Sequence, residues 1–170
     1  MVMKITGYTY GKKDKGFDEL RFVLKALSDD CTRYVLNMLC VRDGKFICTD
    51  GRRMHQATAP AKHKVGLYEV LKNTAKLIVL ARKEDDLKFP NTDMIIPKEH
   101  DHEAVIYGAT AGRIQHNVSK RGGALLDEVY LADAAPKEIE ATVRWGDVLS
   151  PVMIIHELGF AVVMPKRGDQ

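Results

Sequence analysis

Two Asp-Gly pairs, Asp43-Gly44 and Asp50-Gly51, sit close together inside the run TRYVLNMLCVRDGKFICTDGRRMHQATAP, and they constrain the fold more than any other feature. Glycine, and often aspartate, accepts the positive φ that a tight hairpin requires. The apolar stretches around them therefore read as three short antiparallel strands. Just ahead, FDELRFVLKALSDD places Phe17, Leu20, Leu24 and Leu27 at helical spacing while Arg21 and Lys25 project elsewhere, which predicts an amphipathic helix with a cationic flank.

The same order then begins again. VGLYEVLKN (65–73) offers Leu67, Val70 and Leu71 on one helical face and is followed by the strand candidate AKLIVLA. A helix followed by strands, twice, predicts an α+β fold with an internal duplication. At 170 residues the chain suits one domain over 1–170, with approximate halves 1–64 and 65–170. FPNTDMIIP (89–97) and the polar KEHDHE interrupt the second copy before strands expected at 104–108 and 113–118. SKRGG (119–123) reads as a loop, and EVYLA, EIEATVRW, PVMIIHE and FAVVMP as short, mainly β segments.

Charge divides along the chain. Residues 1–83 carry 17 Lys/Arg against 8 Asp/Glu, a net +9, whereas residues 84–170 carry 9 against 15, a net −6. Such asymmetry marks either a basic face for a polyanion or unlike faces that self-associate. Cys31, Cys40 and Cys48 are odd in number and lack metal-type spacing, so they read as reduced thiols of a cytoplasmic protein. No apolar run suits a membrane span, and MVMKITGYTYGKKDKG lacks the apolar stretch of a signal peptide.

Catalytic chemistry is not evident. The chain has no Walker loop, no G-x-G-x-x-G, no G-x-S-x-G and no H-E-x-x-H. His100 and His102 in EHDHE stand two apart without further ligands, a weak metal signal. His156 lies among apolar residues and reads as a satisfied structural histidine. No enzyme activity, metal or cofactor is expected.

Three stretches, in consistent order, resemble the bacterial DNA polymerase III β sliding clamp. TRYVLNMLCVRDGKFICTDGRRMHQA is similar to the family's "RYxLNG" strand, DGK-type hairpin and "TDGHRLA" turn; FPNTDMIIP to "FPDYRRVLP"; and SPVMIIHELGFAVVMPKRG to the ending "PVxI…YVVMPMRL". The resemblance implies a sliding-clamp-like processivity fold, two helices packed on antiparallel sheets with pseudo-twofold duplication. It covers about a third of the chain. The family's ring subunit has three domains, so a chain of this length is expected to make about one such domain plus additions.

In that family the matching motifs line the pocket that receives a short hydrophobic motif of DNA polymerases and other partners. Carried over, the implied peptide-binding residues are Leu36 from the first strand, Thr49, Gly51, Arg52, Arg53 and Met54 from the turn, and Pro90 and Ile95 from the FP segment. The C-terminal strand and tail supply Val162, Met164, Pro165, Lys166 and Arg167. The resemblance also implies sequence-independent contact with double-stranded DNA, for which Lys12, Lys13, Lys15, Arg21, Lys25, Lys72 and Lys76 lie in or near the two expected helices. Departures are visible: Arg52 stands where the family often has His, Lys166 replaces an apolar Met, Gly168 replaces the terminal Leu, and RYVLNML lacks the glycine after Asn. Two other readings stay open, a structural or self-associating protein that keeps the fold without the pocket, and a metal-dependent enzyme built on His100 and His102.

Overall fold

The computed structural model describes residues 7–30, 32–84, 86–136 and 139–168, so Cys31 lies outside the described residues. The chain divides into two compact units. Unit 1 comprises residues up to Gly51 with Gln56–Pro90, and unit 2 comprises Arg52–His55 with the chain from Asn91 onward.

In unit 1, β1 (Gly7–Gly11) leads into α1 (Phe17–Leu24), a 3-10 turn (Tyr34–Asn37), β2 (Met38–Arg42) and β3 (Lys45–Thr49). After β4 (Arg53–Thr58), which is shared between the units, come β5 (Gly66–Asn73) and β6 (Leu77–Lys83). The strands run β1-β6-β5-β2-β3, every registered pair antiparallel. The first Asp-Gly pair does what its chemistry requires: Asp43 and Gly44 have φ of 51° and 69° and close β2 onto β3. The second makes a wider connection, in which the Thr49 hydroxyl accepts from the Gly51 amide at 3.1 Å.

Helix α1 buries Phe17, Leu20, Phe22, Val23 and Leu24 and packs on β3. It starts from Gly16 at φ 90°, where a Cβ would stand 2.9 Å from Pro60 Cγ, so only glycine both takes the turn and admits the proline. The floor of unit 1 is aromatic. His63 stacks on Tyr8 with ring centroids 3.9 Å apart and is crossed edge-on by Tyr68 and Phe46. Its Nδ1 lies 2.9 Å from the Tyr10 hydroxyl. Cys40 and Cys48 are buried and unpaired thiols. Burial raises both, Cys40 to about 11.

Beyond Arg52–His55, unit 2 continues with a 3-10 turn (Thr92–Ile95) capped by the Asn91 side chain. Then follow β7 (His102–Ile106), α2 (Ala111–Lys120), α3 (Glu128–Ala134), β8 (Ala141–Trp145), β9 (Val152–His156) and β10 (Gly159–Val163). The strands run β10-β9-β8-β7, antiparallel throughout. Ile114, Val118, Leu131, Val143, Trp145, Val152, Ile154 and Ala161 form its buried core. Thr110 caps α2, and Asp127 caps α3 by accepting from the amides of Val129 and Tyr130. No helix among the described residues is long and apolar enough to cross a membrane.

Four sequence expectations are corrected. Residues 65–73 form strand β5, not a helix; β5 pairs with both β2 and β6, and a bulge between Val70 and Lys72 disturbs its alternation. Residues 113–118 belong to helix α2, because Ile114 and Val118, four apart, are the pair it buries. SKRGG is the end of α2 and its tight exit rather than a free loop: the Gly123 amide bonds Val118 O at 2.9 Å. EVYLA lies in α3, not in a strand.

Candidate partner-binding and nucleic-acid surfaces

The turn after β3 and the C-terminal tail, distant in sequence, meet in unit 2. The Met164 amide donates to Arg52 O at 3.0 Å, and the Lys166 amide donates to Leu125 O at 2.7 Å. The tail thus runs between the start of β4 and the connection from α2 to α3. Arg52 is exposed, whereas Arg53 turns inward. Its Nη1 pairs with Asp133 Oδ2 of α3 at 2.6 Å, and its guanidinium lies 4.4 Å from the centroid of the Tyr130 ring.

Burial sorts the expected peptide-binding residues. In unit 2, Met54 and Val162 are 0% exposed and belong to the packed interior. Ile95, Met164 and Pro165 are half-buried, and Lys166 and Arg167 are exposed. The four remaining residues lie in unit 1. Leu36 is buried in the 3-10 turn before β2 rather than on a strand. Thr49 ends β3, and Pro90 is exposed at the unit's last position. Gly51 has φ 87°, and a Cβ there would approach Arg33 Nη1 to 2.9 Å.

Tyr130 and Asp133, which set the position of Arg53, were missed by sequence reasoning. The signal was present: Asp127 followed by EVYLADA is a capped helix start, and a helix places positions three apart on one side.

Among the cationic residues, unit 1 gathers five at one end. The Lys12 amide bonds Lys76 O at 3.1 Å, so the segment after β1 lies against the hairpin joining β5 to β6. Lys12, Lys13, Lys15, Lys72 and Lys76 are all exposed. Lys72 and Lys76 thus sit on a strand and a hairpin, a correction to their expected place on a second helix. Arg21 is half-buried on α1, and Lys25 is exposed just past its end.

The histidines considered for chemistry have structural surroundings. His100 Nε2 is 3.6 Å from Glu103 Oε2, whose carboxylate also takes Arg144 Nε at 2.7 Å. His102 lies beside Trp145 with centroids 5.5 Å apart. Among the described residues, no group of three His, Cys, Asp or Glu is arranged to hold a metal. His156 Nε2 donates to Ala134 O at 2.9 Å and its Nδ1 accepts from the Leu158 amide, which fixes the neutral tautomer. Burial holds its pKa below the ordinary value, against the opposing pull of the Ala134 carbonyl.

No protein-family model and no curated protein matches the chain. Among solved structures it is similar to the DNA polymerase III β chain of Streptococcus pneumoniae, with TM-score 0.65 and 12% identity over 99% of this chain and 66% of that one. It is similar also to the DNA polymerase sliding clamp of Bacillus subtilis (TM-score 0.59, 11% identity, 99% and 66%). The DNA polymerase III β subunit of Thermotoga maritima gives TM-score 0.61 and 13% identity, over 99% and 67%. The chain spans about two thirds of the length of these structures. The α+β sliding-clamp fold implied by the three motifs is the fold of this chain.

Proposed function

We propose that this chain is a non-catalytic, sliding-clamp-like accessory protein of DNA replication or repair. In this reading it receives a short apolar segment of a DNA polymerase or a similar partner beside its C-terminal tail, and the lysine-rich end of unit 1 meets DNA phosphates. The observation that carries the reading is the bond from the Met164 amide to Arg52 O. It joins two of the three clamp-like motifs within one unit, on the fold those motifs implied.

The surface along the C-terminal tail, between the start of β4 and the α2–α3 connection, is termed the ledge, and its residue types suit such a role. Met54 and Val162 are buried in the interior of unit 2, and in this reading a partner's side chain meets Ile95, Met164 and Pro165, which are half-buried. Fully burying one Leu or Phe anchor gains about 1.5–3 kcal/mol. The unbranched thioether of Met164 adapts to anchors of different shape. For DNA, five exposed lysines provide attraction without sequence readout, which depends strongly on salt.

The test is a fluorescence-anisotropy titration of a labelled clamp-motif peptide against the parent protein and Met164→Asp. Placing a carboxylate under the anchor should weaken binding about ten- to hundredfold. Equal affinity for the two proteins would show that the tail is not the site. For DNA, Lys12→Glu with Lys76→Glu should flatten the dependence of log K on log salt for duplex binding by about two. An unchanged slope would remove that end from the DNA contact.

A further inference from the structure

The charges around the tail are unevenly engaged. Arg53, next to the Arg52 that bonds the tail, is held by Asp133 and Tyr130 and has a side chain only 9% exposed. Asp127 is bound to the amides of Val129 and Tyr130 as the cap of α3. Two nearby carboxylates, Asp127 and Asp133, are therefore already answered from within. Lys166 and Arg167 on the tail, and Arg121 at the exit of α2, are exposed cations, and Glu128 in the first turn of α3, three positions after Leu125, is an exposed acid.

Exposed apolar surface accompanies these cations. Leu125 is 60% exposed and Val129 64%, and the backbone of Leu125 is bonded directly to that of Lys166. A side chain left this open next to two cations is not explained by packing within the unit. An apolar segment alone would cover Leu125 and Val129 but leave the lysine and arginine without counter-charge; an acidic segment without an apolar residue would do the reverse.

We infer that the ledge selects partner segments in which an apolar anchor is flanked by Asp or Glu, with Lys166 and Arg167 reading the acidic flank and Leu125 and Val129 covering the anchor. The inference rests on the proposed partner-binding role and names the chemistry of the partner. Its departure from a purely apolar tail comes from Lys166, which points the specificity toward acidic sequence. Glu128 opposes the preference, so its removal should strengthen it.

Three labelled peptides with one Leu-Phe core, flanked by Asp-Glu, Ser-Ser or Lys-Lys, test this against the full chain, Lys166→Glu with Arg167→Glu, and Glu128→Gln. The parent should bind the acidic peptide about tenfold more tightly than the basic one, since exposed ion pairs are individually weak. The difference should shrink toward nothing near 1 M salt, where charges are screened beyond about 3 Å. Charge reversal should invert the order, and Glu128→Gln should widen it. All substituted residues are exposed, and the salt titration of the parent needs no variant. Equal binding of the three peptides at every salt concentration overturns the inference while leaving partner binding intact. Failure of every peptide to bind overturns both.

Discussion

Lowering the pH should weaken unit 1 through one side chain, His63. Burial, and secondarily the charge of Lys62, depress its pKa from 6.5 to about 4. The geometry explains the direction. Nδ1 is matched to the Tyr10 hydroxyl at 2.9 Å, while Nε2 is buried with no hydrogen-bond partner among the described residues. A second proton would place a charge and an unsolvated N–H between Tyr8 and Tyr68. Between pH 6.5 and 4 the unfolded chain binds more protons at this site than the native one, so stability rises with pH across that window. Stability is complete above about 6.5 and is lost as pH falls toward 4, and the full interval corresponds to about 3 kcal/mol. Urea unfolding of the parent and of His63→Phe, at steps from pH 7 to 4.5, isolates the term: the phenyl ring keeps the stack and cannot titrate. The parent should lose about 2–3 kcal/mol more than the variant over that range. Parallel pH profiles, or an imidazole proton signal for His63 titrating near 6.5, would refute the reasoning.

The Arg53 and Asp133 pair predicts strong non-additivity. Asp133→Ala removes the carboxylate from a nearly buried guanidinium and should cost about 2–3 kcal/mol, and adding Arg53→Ala should recover part of the loss in a double-mutant cycle measured by urea unfolding; additive costs would mean that the ion pair carries no coupling. Gly123→Ala should destabilise unit 2 by about 2–3 kcal/mol, because its Cβ would meet Val118 Cγ1 at 2.5 Å and Trp145 Cδ1 at 2.6 Å. A thermal midpoint unchanged by that substitution would contradict the close packing at the end of α2.

How far the fold was legible depended on whether the deciding interaction was local. The Asp43-Gly44 turn and the amphipathic α1 are written in adjacent residues; the turn formed where expected, and the helix formed over Phe17–Leu24, ending before Leu27. Residues 65–73 misled for a specific reason. Leu67, Val70 and Leu71 have helical spacing because the β-bulge between Val70 and Lys72 inserts one residue into the strand, which breaks the period of two that would have identified it. Of the antiparallel partners that settle the matter, β6 follows through a short hairpin, but β2 is remote in sequence. In α2 the opposite happened: only Ile114 and Val118 are buried, and a helix with two apolar residues leaves little periodicity to read.

The candidate site divides along the same line. Resemblance supplied the two segments that the structure joins, but it treated apolar and basic positions alike as contacts, and only burial separates them. Met54 and Val162 are interior side chains whose role is to hold shape, and Arg53 is engaged by an aspartate 80 positions away. Neither fact follows from a local pattern. On the proposed role, what is left for a partner is the half-buried Met164 and Pro165 and the exposed Lys166 and Arg167, with Leu125 bonded to Lys166 through the backbone. There a single substitution, lysine for an apolar residue, alters the surface charge without touching the fold. On the proposed partner-binding role, stability and specificity are therefore separable: changes at the buried Met54 or Val162 should act through stability, and changes at the exposed Lys166 through which partner is preferred.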